Sequence, residues 1–120
     1  MANTSTALHT IPNRSGKAGP IRNYLVAIDT VDTDLDVYTP SSDQLVYVVG
    51  LSFCDATAAN VTFKSNTTTM LTLELAANEG FTKAVDDGFW IATEKGKKLV
   101  VSSSAAISSM LFQIVEAGQY

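Results

Sequence analysis

This chain has little of the equipment that catalysis and metal binding usually require. It holds one histidine, His9, and one cysteine, Cys54. A Ser, Cys or Thr nucleophile needs an adjacent base, most often His. Here any such site would have to be built around His9, in a stretch with almost no hydrophobic periodicity. One imidazole is also too few for the multi-histidine metal sites of cupin-type jelly rolls. A lone cysteine forms no intrachain disulfide, so the fold does not depend on one. Cys54 ends the apolar run LVYVVGLSFC and is expected to be a small core residue.

Long hydrophobic runs are missing as well. No segment approaches the ~20 apolar residues of a membrane-spanning helix, so no membrane partner is expected. Residues 1–20 contain no apolar h-region of a secretory signal. The expectation is synthesis in a cytoplasm and release, if any, by another route. Four Asn-X-Ser/Thr sequons, at Asn3, Asn13, Asn60 and Asn66, then carry little weight. Charged residues make up 17% of the chain, below the roughly 25% of an average domain.

Ser and Thr fill that gap, with 25 of the 120 positions. β-branched Thr suits a pleated sheet. The charge that is present is unevenly placed. Residues 1–22 carry Arg14, Lys17 and Arg22 and no acid, while the remainder carries five Lys and twelve Asp or Glu. The formal net charge of −4 and the pI near 4.7 argue against long-range attraction to nucleic acid.

Residues 1–20, MANTSTALHTIPNRSGKAGP, hold two Pro, two Gly and many small polar residues. That composition suggests a flexible basic arm, in which Leu8 and Ile11 are the sizeable apolar anchors. Residues 21–120 form the expected single domain. Strand patterns follow one another there: IRNYLVAID, Leu35 to Tyr38, LVYVVGLSFC, NVTFK, MLTLELA, Phe81 to Val85, FWIAT, KLVVSSS and SMLFQIVEA. The clearest period-2 signal places Leu71, Leu73 and Leu75 on one face and Thr72 and Glu74 on the other. Gly50, inside the central apolar run, suggests a bulge or a close crossing. Gly, Asn, Asp and Ser punctuate the strands, and no stretch keeps a helical period. The fold class read from this pattern is all-β: a jelly-roll-like antiparallel β-sandwich of about eight strands with an extended N-terminal arm. An immunoglobulin-like sandwich competes with it, although its Cys…Trp…Cys pattern is absent.

Four groups of residues are candidates for function. Arg14, Lys17 and Arg22, with Leu8 and Ile11, form a partner-binding arm. Phe89 and Trp90 are adjacent on a strand, so one of them must face outward and mark a contact surface. Asp32, Asp34 and Asp36 have the spacing that opens a calcium loop. However, Val37 stands where such a loop has Gly, and Asp43 where it has Glu. Charged edge-strand residues explain the triplet without a metal, so no cofactor is expected. Asp86 and Asp87 lie in a DDG turn, and Lys95, Lys97 and Lys98 in a charged hairpin tip.

The C-terminal part has a further pattern. A strand leads to a Gly80-marked loop and an aromatic strand ending at Thr93. Gly96 and Leu99 follow, then a strand ending in Ser104-Ala105-Ala106 and a final apolar strand. Over residues 45–117 this resembles the small jelly-roll decoration (cement) proteins of tailed-phage capsids. The chain departs from that pattern where the final strand carries Met110 or Leu111 in place of a Gly. The resemblance implies a non-enzymatic virion protein on the capsid surface, a homotrimer that binds the major capsid protein and sister subunits. The alternative reading is a carbohydrate- or receptor-binding β-sandwich module of a phage tail or adhesin, with Trp90 as a stacking platform.

Overall fold

A computed structural model describes residues 3–12, 19–85 and 88–119. It contains ten strands: β1 (Thr4–Ile11), β2 (Ile21–Ile28), β3 (Leu35–Tyr38), β4 (Leu45–Cys54), β5 (Ala59–Ser65), β6 (Thr68–Leu75), β7 (Gly80–Ala84), β8 (Ile91–Ala92), β9 (Leu99–Ser103) and β10 (Ile107–Ala117). They form two antiparallel sheets. The larger has the order β1-β2-β10-β4-β7, with β8 also pairing to β4, and the smaller has the order β3-β9-β5-β6.

The chain repeatedly crosses from one sheet to the other. β2 and β3 lie in different sheets, as do β3 and β4, β4 and β5, β6 and β7, β8 and β9, and β9 and β10. Two interlocked four-stranded sheets, β2-β10-β4-β7 and β3-β9-β5-β6, are the double Greek key of a jelly roll. The expected fold class holds, and the strand order decides against the immunoglobulin-like alternative.

The core between the sheets follows from strand alternation. On β4, Val46, Val48, Leu51 and Phe53 point inward; on β10, Met110, Phe112 and Ile114 do so. Leu71, Leu73 and Leu75 pack against the same core, as their period-2 pattern requires. Phe63 and Phe112 meet edge to face, with ring centroids 6.1 Å apart, an arrangement aromatic pairs prefer. The inward shift from Leu51 to Val48 is a bulge: Gln113 pairs with Gly50 and Ile114 with Val48. The extra residue, Val49, joins Tyr47, Val115 and Ala117 in a second apolar cluster behind the sheet.

Over Thr4–Ile11 the structure corrects the reading of residues 1–20 as a loose arm; residues 13–18 lie outside the described ones. Thr4–Ile11 is a strand in register with β2, from Thr4 opposite Ala27 to Ile11 opposite Ile21. Asn3 secures its start, because the Asn3 Oδ1 accepts the backbone N–H groups of Asp29 and Thr30 at 2.8 and 2.7 Å. Cys54 is a second correction. It is exposed, because it follows the inward-facing Phe53 and alternation turns it outward.

Candidate docking face

The two sheets differ sharply in what they show to their surroundings. The outer face of the smaller sheet carries charge in pairs. Lys64 reaches Asp34 at 3.0 Å, and Lys98 reaches Asp36 at 3.0 Å. In register, Val100 stands between Asp36 on β3 and Lys64 on β5. It is nonetheless 1% exposed, as expected where Lys stems lie over an apolar neighbour. Thr62 and Thr72 sit side by side in the next row, with hydroxyls 3.3 Å apart. These ion pairs are partly exposed, so each contributes at most about 1 kcal/mol. Their importance is positional: they hold Asp34 and Asp36 against ammonium groups.

That arrangement settles the placing of the calcium candidates. Asp34 and Asp36 each engage a lysine. Asp32 lies in a turn with φ 53° and donates its N–H to the Ser103 carbonyl. Among the described residues, no three His, Cys, Asp or Glu side chains are grouped to hold a metal ion.

The outer face of the larger sheet is different. One row across all five strands reads Thr6, Leu25, Leu111, Ser52 and Thr82. The next reads Asn23, Gln113, Gly50 and Ala84. Neither row contains a charged residue. Asn23 donates to the His9 carbonyl at 2.8 Å, and Gln113 Nε2 donates to Asn23 Oδ1 at 3.2 Å. These bonds link β1, β2 and β10 side by side. Leu25 is 38% exposed. A shallow recess of about 120 Å³ lies between Leu111, Gln113, Ser52 and Thr82, with Lys83 at its border.

The two aromatic candidates part company. Trp90 turns inward, against Phe63 and Phe81, with ring centroids 5.8 and 5.5 Å away. Phe89 turns outward, 45% exposed, with its ring 4.8 Å from that of Tyr47. It lies beside the second apolar cluster, at one end of the uncharged face. Trp90 therefore is not the exposed platform that stacking on a sugar requires.

The arm candidates divide similarly. Leu8 and Ile11 are on β1, 46% and 41% exposed. Arg22 is on β2, not on an arm, with its guanidinium 5.7 Å from the centre of the Tyr38 ring. Arg14 and Lys17 lie outside the described residues, as do Asp86 and Asp87.

Arg22 belongs to a polar clasp between the sheets that the sequence did not reveal. The Tyr38 hydroxyl donates to Glu116 Oε1 at 2.5 Å, and the Ser41 N–H donates to Glu116 Oε2 at 2.7 Å. Burial, and then the hydrogen bond to Glu116, push the Tyr38 hydroxyl up to about 12. For Glu116, burial acts upward. The hydrogen bonds from Tyr38 and Ser41 and the Arg22 charge outweigh it and hold the carboxyl below its ordinary range. Tyr38 and Glu116 are 78 residues apart in sequence, so no local pattern signals the pair.

The marker residues of the C-terminal part shape the backbone. Buried Thr93 accepts the Val46 N–H through Oγ1 at 3.0 Å and donates its own N–H to the Val46 carbonyl. Gly96 takes φ +74°, a conformation that favours glycine. Ser104 Oγ accepts the Asn60 N–H at 2.8 Å. At the same end, buried Asp55 accepts the Glu79 N–H at 2.9 Å and fixes the turn before β7.

No family model matches this chain, and no curated protein matches it. Solved structures similar to it include a Clostridium thermocellum endo-1,4-beta-D-xylanase 10B comprising CBM22-1 and GH10 modules, complexed with xylohexaose. Identity to it is 12%, with a TM-score of 0.42, over 96% of this chain and 24% of that one. Another is the Schizosaccharomyces pombe Cnp3 cupin domain, at 10% identity and TM-score 0.36, over 96% of this chain and 60% of that one. The chain thus spans about a quarter of the first and three fifths of the second. The jelly-roll assignment rests on the strand order described above, not on these likenesses.

Proposed function

We propose that this protein is a structural virion component that decorates or cements a tailed-phage capsid, seated on the major capsid protein through the outer face of its larger sheet. The observation that supports this reading is the separation of charge between the two sheets. The smaller sheet's outer face carries the paired Asp and Lys side chains, which suits a surface turned to solvent. The two central rows of the larger sheet's outer face carry no charge. Depletion of charge is the compositional mark of an interface core. Leu25, Leu111 and Phe89 supply apolar contact there, and the amides of Asn23 and Gln113 supply hydrogen-bonding groups. The resemblance over residues 45–117 supplies the kind of partner.

The test is co-sedimentation of the purified protein with capsid shells assembled from the major capsid protein encoded beside it. The wild-type protein pellets with shells. Leu25→Lys with Leu111→Lys, which puts two charges in the centre of the face, weakens binding at least tenfold. Lys64→Gln with Lys98→Gln, on the opposite sheet, leaves binding within a factor of about two. Binding that is indifferent to the Leu25 and Leu111 changes, or no binding at all, removes the proposal.

A further inference from the structure

Among the described residues, five strands bound the two sheets: β1, β7 and the two-residue β8 in the larger, β3 and β6 in the smaller. An edge strand presents unpaired N–H and C=O groups, and proteins commonly guard such edges with charge. Three of the edges follow that rule. β3 carries Asp36, β6 carries Glu74 and β7 carries Lys83. β1, TSTALHTI, carries no acid, lysine, arginine or proline, and His9 is its single ionisable side chain. Seven of its eight residues are exposed, and Leu8 and Ile11 are among the most exposed large apolar residues described.

We propose that the free edge of β1 pairs antiparallel with β1 of a second copy of this chain across a two-fold axis. The occupant of a strand edge must itself be a strand edge with open backbone groups. β8, Ile91–Ala92, is uncharged but too short for a ladder, so among the longer described edges β1 is the one that brings no Asp, Glu, Lys or Arg into the contact. Two copies of β1 therefore meet without like-charge conflict. A two-fold axis makes the contact self-complementary and antiparallel. A bulge at Leu8 and His9 interrupts the register with β2, but Thr4–Ala7 runs unbroken opposite Ala27–Tyr24 and offers a straight segment for the ladder. Asn3 holds the start of that segment in place through Asp29 and Thr30, so the strand is already ordered before pairing. The joined sheets would also place two uncharged outer faces side by side. This inference does not depend on the capsid reading, since it concerns the free protein.

Sedimentation equilibrium over micromolar to millimolar concentration tests it. The expected mass is twice the 12.8 kDa of one chain. Thr6→Lys with Leu8→Lys, which sets like charges opposite one another, weakens the dimer at least tenfold. A second measurement covers the case in which that variant does not fold. In a Cys54→Ser background, a single cysteine is placed at Thr6, the outward-facing position inside the Thr4–Ala7 ladder that the two-fold axis sets opposite its own copy, or at Thr82, and oxidised. Paired antiparallel strands bring Cα atoms to roughly 4.5–5.5 Å, within disulfide range. A disulfide-linked dimer forms at Thr6 and not at Thr82. A protein that stays monomeric, an assembly that ignores the lysine pair, a trimer, or cross-linking equally efficient at Thr82 overturns the proposal. Shell binding is read separately, so failure of one proposal leaves the other standing.

Discussion

The side chain of Gln113 lies across Gly50 on the neighbouring strand. A Cβ placed on Gly50 would stand 2.4 Å from Gln113 Oε1 and 3.2 Å from its Cβ. The two residues are paired in register, at the bulge where β4 gains Val49. Gly50 is thus the position that lets a polar amide lie flat across the centre of the uncharged face. From there it donates to Asn23 on β2.

Gly50→Ala is expected to leave stability nearly unchanged. Displacing Gln113 forfeits a side-chain hydrogen bond, with a net loss of about 0.5–1.5 kcal/mol. Replacing Gly in a strand recovers about 0.5–1 kcal/mol through the unfolded chain. The two effects nearly cancel, and urea unfolding should show a change below about 1 kcal/mol. Shell binding should fall, because the displaced amide roughens the face. Loss of several kcal/mol in stability would show that Gln113 cannot be moved and that the face is rigid.

Thr93→Val should be clearly destabilising despite matching the shape of the side chain. Thr93 is 2% exposed and its hydroxyl is the acceptor for the Val46 N–H. Valine leaves that buried donor unpaired, which costs about 1–3 kcal/mol. Chemical unfolding at neutral pH measures it. Serine at this position keeps the acceptor and should recover part of the loss.

Gly96→Ala should cost more than Gly50→Ala. Gly96 has φ +74°, and its added Cβ would lie 2.8 Å from the Ser42 carbonyl oxygen. That neighbour is backbone and cannot swing aside as Gln113 can. The left-handed conformation alone costs a residue with a Cβ about 1–2 kcal/mol, and the contact adds to it. A drop in melting temperature of several degrees is expected for a domain of this size; an unchanged melting temperature would mean that the turn rearranges freely.

The Tyr38–Glu116 clasp should make stability fall at both ends of the pH scale. Tyr38 is raised from 10.0 to about 12 in the folded protein. Its contribution is therefore fully present below pH 10 and is lost as pH rises toward 12. Glu116 is held below its ordinary 4.5. Its contribution is present above that value and is lost as pH falls through the lowered one. The stability difference between wild type and Tyr38→Phe should be level between about pH 5 and 9 and shrink outside those limits. A difference that stays level up to pH 12 would show that the clasp does not act through the phenol proton.

Much of the sandwich is legible in the chain because its strands are half-buried. Leu35 to Tyr38 and Leu45 to Cys54 are recovered at their full lengths, and the Leu71, Leu73 and Leu75 face is the one that packs inward. β1 is not legible for the opposite reason. It is exposed along nearly its whole length, so burial imposes no alternation on TSTALHTI. Its place is fixed by backbone hydrogen bonds to β2 and by Asn3, neither of which leaves a hydrophobic pattern. Adjacent Phe89 and Trp90 require one residue to face out, but which one does so depends on the rings of Phe63, Phe81 and Tyr47.

The sequence by itself determined that this is a β-sandwich, because period-2 burial and turn residues are local properties of a chain. It also determined that basic residues gather at one end and acids elsewhere. The tertiary structure alone decided which surface is free of charge. Asp34 meets Lys64 and Asp36 meets Lys98 across strands that are distant in sequence, so their charge collects on one sheet. Leu25, Leu111 and Ser52 come from three segments, and strand order sets them in one row on the other. Register is a long-range property, and the face it creates exists only once the strands are paired.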